Sequence, residues 1–273
     1  MAAQSDFYIY SDAAKNYEEV GDVNKVREFI KTVTGFKSIS IIERENNLGL
    51  ANSIIDGVTS IVNRHEKVIV LEDDLVTSKY FLNFMNDSLI TYEKDDQVAS
   101  IHGYFYPIEN MDESFFIKGA DCWGWGTWKN RWSLFEPNGQ KLLNELKERK
   151  LVKEANFNNS FSYSNMLRQQ IKGDNDSWAV RWYISMFLLG KLTLYPGKSF
   201  VQNIGFGLDA THSTSENNNF NVELYEQKHS NQKIKIKECE QSRKKMEDFF
   251  FSMKPNFLLR ILRKILRTWR LIF

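Results

Sequence analysis

Along the first hundred residues, short unbroken apolar runs alternate with stretches whose apolar positions recur every three or four residues. Phe7–Tyr10 and Ser38–Ile42 read as strands. Between them, Val23, Val26, Phe29, Ile30 and Val33 fall on one face, which predicts a helix over residues 22–33 closed by Gly35. Asn46–Gly49 marks a turn, and a second helix follows with Leu50, Ile54, Val58, Ile61 and Val62 on its buried stripe. Val68–Leu71 is an uninterrupted apolar strand of the kind buried on both faces of a parallel sheet. Phe81, Leu82, Phe84, Met85 and Leu89 then recur at helical spacing, with Thr77 or Ser78 as the cap, and Val98–Ile101 is a fourth strand. Strands separated by helices imply right-handed crossovers. The expected class is α/β, a Rossmann-like and mostly parallel sheet flanked by helices.

After residue 104 the pattern changes. Phe115–Lys118 is a strand, residues 138–172 are polar helices, and Trp178, Trp182, Met186 and Leu189 line one side of another helix. Residues 191–202 are apolar strands around Pro196-Gly197. One domain over residues 1–253 accounts for this, with halves at about 1–104 and 105–215 and a helical extension after them. Residues 254–273 stand apart. Leu258, Ile261, Leu262, Ile265, Trp269 and Ile272 share one helical face, and Arg260, Arg263, Arg267 and Arg270 share another. That pattern suits a helix lying on an anionic membrane surface through residues 256–273.

Composition sharpens this in two ways. The net charge is +1, yet the last twenty residues carry +6 without a single acid, so the remainder is at −5. An acidic body speaks against nucleic acid as a partner. Two cysteines, Cys122 and Cys239, form no disulfide framework and place the chain in a reducing, cytoplasmic setting. The start does not read as a secretory leader, and no run approaches the roughly 20 apolar residues of a spanning helix.

The candidate chemistry centres on the end of the third strand, where Glu72, Asp73 and Asp74 stand in a row. Ligands of open α/β sheets bind beyond the carboxyl ends of the strands. Three adjacent carboxylates repel one another and call for a countercharge, which a hard divalent cation supplies through oxygen ligands. Asp12 and Asn47 fall at neighbouring strand ends. Trp123, Trp125, Trp128 and Trp132 lie within ten residues, interleaved with Gly. Trp128 and Trp132 fit a core, whereas Trp123 and Trp125, flanked by glycines in an expected loop, are candidates for a sugar-stacking platform. In Gly173-Asp174-Asn175-Asp176-Ser177-Trp178, Asp174 suits a helix cap, and Asp176 is a candidate general base whose proton affinity an aromatic wall would raise. His212, after Gly205, Gly207 and Asp209, is a candidate metal ligand.

Four of these stretches, in order, give a family resemblance: Tyr10-Ser11-Asp12, the Glu72-Asp73-Asp74 triplet after its apolar run, the Gly/Trp segment 123–128, and Asn175-Asp176-Ser177-Trp178. Over roughly residues 6–212 the chain resembles inverting glycosyltransferases of the GT-A fold, bacterial sugar transferases similar to N-acetylglucosaminyltransferase I. The resemblance implies that Asp74 holds a Mn2+ or Mg2+ on the diphosphate of a nucleotide-sugar donor, a UDP-sugar first among them. It implies further that Glu72 and Asp73 face the nucleotide, that Asp12 contacts its base, and that Asn47 assists. Asp176 would deprotonate the hydroxyl of a glycan or lipid-linked acceptor held against Trp123 and Trp125. Residues 1–104 would then be the donor half and 105–215 the acceptor half, on a protein peripheral to the inner face of the plasma membrane. Proteins of that family open with a further strand and helix before the strand matching Phe7–Tyr10. An apolar sheet edge is therefore expected there. The non-enzymatic alternative is a degenerate transferase serving as a membrane-associated scaffold. Nucleotidyltransferases lack support without a Gly-rich phosphate loop, and a phospho-receiver domain would carry its acids after the first strand, not the third.

Overall fold

The computed structural model describes residues 1–205, 219–230 and 232–254. The expected acidic strand, β3 (Lys67–Val70), lies at one edge of a five-stranded sheet with β5 (Val98–His102), β6 (Ser114–Lys118), β7 (Trp125–Trp128) and β8 (Leu192–Pro196). Their order is β3-β7-β5-β8-β6. Only β5 and β8 run parallel; β7 pairs antiparallel with both β3 and β5, and β6 antiparallel with β8. The sheet is therefore mixed, and the expectation of a mostly parallel one is corrected. The strand responsible is β7, which inserts between β3 and β5 and so knits the two expected halves of the chain into one sheet.

Two smaller ladders flank it. β1 (Asp6–Ser11) and β2 (Ser38–Glu43) pair in parallel with each other, connected through α1 (Val20–Ile30), and no ladder joins them to β3. A lone two-stranded pair is marginal in water, and α2 (Gly49–His65) supplies the missing support. The Tyr10 ring lies within 3.4 Å of where a Cβ on Gly57 would stand. Tyr8 Oη shares a 2.8 Å hydrogen bond with His65, and Arg44 pairs with Asp56. α2 also buries Val58, Ile61 and Val62, of which Val58 and Val62 join the smaller core. The second ladder joins β4 (Leu75–Thr77) to β9 (Val201–Asn203), antiparallel, immediately after the acidic turn.

The core has two parts. The larger lies around α3 (Phe81–Thr91) and α8 (Trp178–Leu188), with the polar helices α5 (Gly139–Glu148), α6 (Val152–Ala155) and α7 (Tyr163–Lys172) packed outside and α9 (Glu240–Ser252) beyond β6. The smaller gathers Trp125, Trp132, Trp178 and Trp182, ring centroids 5.1–6.4 Å apart, beneath α2; Trp132 belongs to a short helix, α4 (Lys129–Trp132). Trp128 and Trp132 are core residues, as expected, but so is Trp125, which is fully buried. Trp125 therefore presents no exposed face to a ligand, unlike the platform expected of it. No helix among the described residues is long and apolar enough to cross a membrane. The expected surface helix over 256–273 lies outside the described residues.

Candidate functional site

The acidic turn joins β3 to β4, and its three carboxylates meet different surroundings. Asp73 is exposed. Glu72 is partly buried beside Trp178. Burial, reinforced by Asp74 and Asp73, pushes Glu72 up to about 7. Asp74 is likewise raised, first by burial and then by Asp73, although the Asn203 side chain hydrogen-bonds to it.

Asp74 is held by the β4–β9 ladder. The Ile204 amide donates to the Asp74 carbonyl at 2.8 Å, and the Gly205 amide donates to Asn203 Oδ1 at 2.8 Å. Gly205 passes so close that a Cβ there would meet Asp74 Oδ2 at 2.4 Å, so only glycine fits. In this tight seat Asp74 Oδ1 is buried and, among the described residues, has no hydrogen-bond partner. A buried, unpaired carboxylate oxygen is costly unless a cation meets it. Among the described residues no three His, Cys, Asp or Glu side chains converge to cage an ion. A set of fewer than three such side chains suits an ion that keeps water and phosphate ligands. His212 lies outside the described residues.

The N-terminus of α2 is the second feature. The Asp12 carboxylate accepts from the amides of Ala13 (3.0 Å), Leu48 (2.9 Å) and Gly49 (3.0 Å). Asp176 Oδ2 accepts from the Ala51 amide at 3.2 Å, across 125 residues of sequence. The first-turn amides of a helix are natural anion sites, and here two carboxylates of the chain itself fill them. Asn47 donates to the Ala13 carbonyl at 2.6 Å. It braces this cap. Asp176 is exposed rather than walled by aromatic rings, and Ser177, not Asp174, caps α8 through the Val180 amide. The physical reason for reading Asp176 as a base is therefore missing.

The structure also assembles a third cluster that spacing alone did not suggest. Asp121 is half-buried between β6 and β7, its side chain 18% exposed. Its Oδ1 accepts from the Cys122 amide at 2.9 Å, and Tyr106 and Tyr195 both donate to Oδ2 at 3.3 Å. His102, fully buried at the end of β5, places Nδ1 3.9 Å from the same oxygen. Trp123 is partly exposed, with its ring edge-on to Tyr104 at 4.7 Å. The Cys122 thiol is raised by burial first, then by the charges of Asp121, Glu72 and Asp74. That cysteine therefore feels the charges of both the Asp121 cluster and the acidic turn. The signal available in the sequence was the strand-end rule: His102 closes β5 as Glu72 follows β3.

Compared with known proteins, the chain matches no family model, and it matches no curated protein.

Proposed function

We propose that the chain is a metal-dependent glycosyltransferase of the GT-A type, moving a sugar from a nucleotide-diphosphate sugar to a hydroxyl of a glycan or lipid-linked acceptor with inversion. The observation that carries this reading is Asp74 Oδ1, a buried carboxylate oxygen after β3 with no partner among the described residues. Its seat fits a Mn2+ or Mg2+ shared with a diphosphate, and such an ion, when bound, neutralises charge on the leaving group. The chain's own residues do the rest. Glu72 and Asp73 line the donor side of the turn. Asp12 and Asn47 fix the α2 N-terminus that walls it.

For the base, the geometry favours Asp121 over Asp176. Asp121 is half-buried and lies two residues before Trp123, and its charge reaches the Cys122 thiol as do those of Glu72 and Asp74. Asp176 spends an oxygen on the Ala51 amide. In the proposed step the acceptor hydroxyl gives its proton to Asp121 as its oxygen bonds to the anomeric carbon. The bond from that carbon to the diphosphate oxygen breaks, and the electron pair leaves with the diphosphate. Trp123 provides the stacking face beside it. Association of residues 256–273 with an anionic membrane would bring a lipid-linked acceptor within reach.

A panel of nucleotide sugars, with and without Mn2+, tests the activity by release of nucleoside diphosphate. Asp121→Asn is expected to lower transfer by about 10²-fold or more while sparing donor affinity. Asp176→Asn is expected to retain transfer within about tenfold, its loss falling on α2 capping at about 1 kcal/mol of stability. The reverse ranking would restore Asp176 as the base. Absence of any metal-dependent nucleotide binding would favour the scaffold reading.

A further inference from the structure

His102 is fully buried, yet its two ring nitrogens are used unequally. The Trp123 amide donates to Nε2 at 3.0 Å, so Nε2 is unprotonated and the ring proton sits on Nδ1. Nδ1 makes no close hydrogen bond among the described residues; it lies 3.9 Å from Asp121 Oδ2, and the Tyr104 backbone also acts on the ring. The Tyr195 ring lies edge-on to the imidazole at 5.0 Å and leaves it little freedom to turn.

We propose that His102 is a positioning residue, locked as the Nδ1–H tautomer by the Trp123 amide, which orients the Asp121 carboxylate and couples it to the Trp123 platform. The inference rests on the transferase reading for its catalytic meaning, but the tautomer and its link to Asp121 do not.

Asp121 Oδ2 faces three donors from three segments: His102 of β5, Tyr106 of the loop after it, and Tyr195 of β8. Tyr104, Tyr163 of α7, Tyr183 of α8 and the Cys122 thiol also feel the Asp121 charge, and the Cys122 thiol feels those of Glu72 and Asp74 as well. Burial holds the His102 ring neutral against the pull of the Asp121 charge. A neutral donor is what this place requires, because a charged imidazolium would pair with Asp121 and suppress its uptake of a proton. The same ring anchors the Trp123 backbone, so a ligand that shifts the platform also shifts the donor facing Asp121.

Two arms test this. In ¹⁵N-histidine-labelled protein, the resonance that disappears in His102→Gln is expected to show the neutral Nδ1–H tautomer from pH 5 to 8, and to move in Asp121→Asn. An Nε2–H tautomer, or a ring that titrates freely and ignores Asp121→Asn, overturns the proposal whether or not the protein turns over any sugar. In the kinetic arm, His102→Gln keeps an acceptor for the Trp123 amide and loses the donor. It is expected to lower kcat by about tenfold or more, leave donor KM unchanged, and raise the acidic limb of the pH profile by about half a unit. His102→Asn restores a donor near the Nδ1 position and is expected to return that limb towards the parent while raising acceptor KM. A loss of kcat with no movement of the limb in either variant means His102 only fills space, and the proposal fails.

Discussion

Asp74→Asn is expected to cut Mn2+-dependent turnover by about 10³-fold or more and to abolish metal-dependent nucleotide binding, with no loss of melting temperature in chelator. The two halves of this result come from one atom. Asp74 Oδ1 is buried and unpaired among the described residues, so without a cation it is a liability to the fold, and its protonation equilibrium is raised by burial and by Asp73. The amide variant keeps the shape of the seat against Gly205 and Asn203 but removes the negative charge. Calorimetric titration with MnCl2 and a nucleoside diphosphate, beside a thermal scan in EDTA, reads both halves. A variant that still binds metal and nucleotide would remove Asp74 from the site; one that melts well below the parent would show its charge to be structural.

The second large effect is a pH dependence of stability set by Glu72. Burial and two neighbouring carboxylates push it up to about 7, above the ordinary 4.5, so the folded chain holds a proton that the unfolded chain releases. Its contribution is complete below about pH 4.5 and is lost as pH rises through about 7, amounting to roughly 2–3 kcal/mol. In chelator, the melting temperature is expected to fall by roughly 5–10 °C between pH 5 and 8. Glu72→Gln is expected to flatten that fall, and saturating Mn2+ to lift the parent most at the higher pH. Parallel curves for parent and variant would mean that Glu72 is solvated and unstrained.

Much of the frame was legible because it is local. The runs at Phe7, Ser38, Val68, Val98 and Phe115 carry strand periodicity, and the stripe from Leu50 to Val62 carries a helix; all appear within a few residues of their expected bounds. The register of β7 was not legible. Trp123-Gly124-Trp125 reads as a ligand-facing loop, because Gly beside Trp is the mark of close approach, yet Trp125 opens β7. The close approach is internal. A Cβ on Gly126 would lie 3.0 Å from the Val68 carbonyl and 3.1 Å from Met85, so this glycine lets β7 lie between β3 and the α3 side chains. The site divides in the same way. Asp74 could be found because its run announces it. The capping roles of Asp12 and Asp176 depend on amides 36 and 125 residues away, and the approach of His102 to Asp121 depends on the pairing of β5 with β7 and β8. No local pattern encodes those distances.

The filled N-terminus of α2 bears on how substrates would arrive. An incoming phosphate finds that helix end already neutralised by Asp12 and Asp176, and finds the adjacent turn acidic. Neither surface welcomes it, so on the transferase reading a cation at Asp74 is expected to bind first and the donor second. Initial-rate kinetics showing random entry would contradict it.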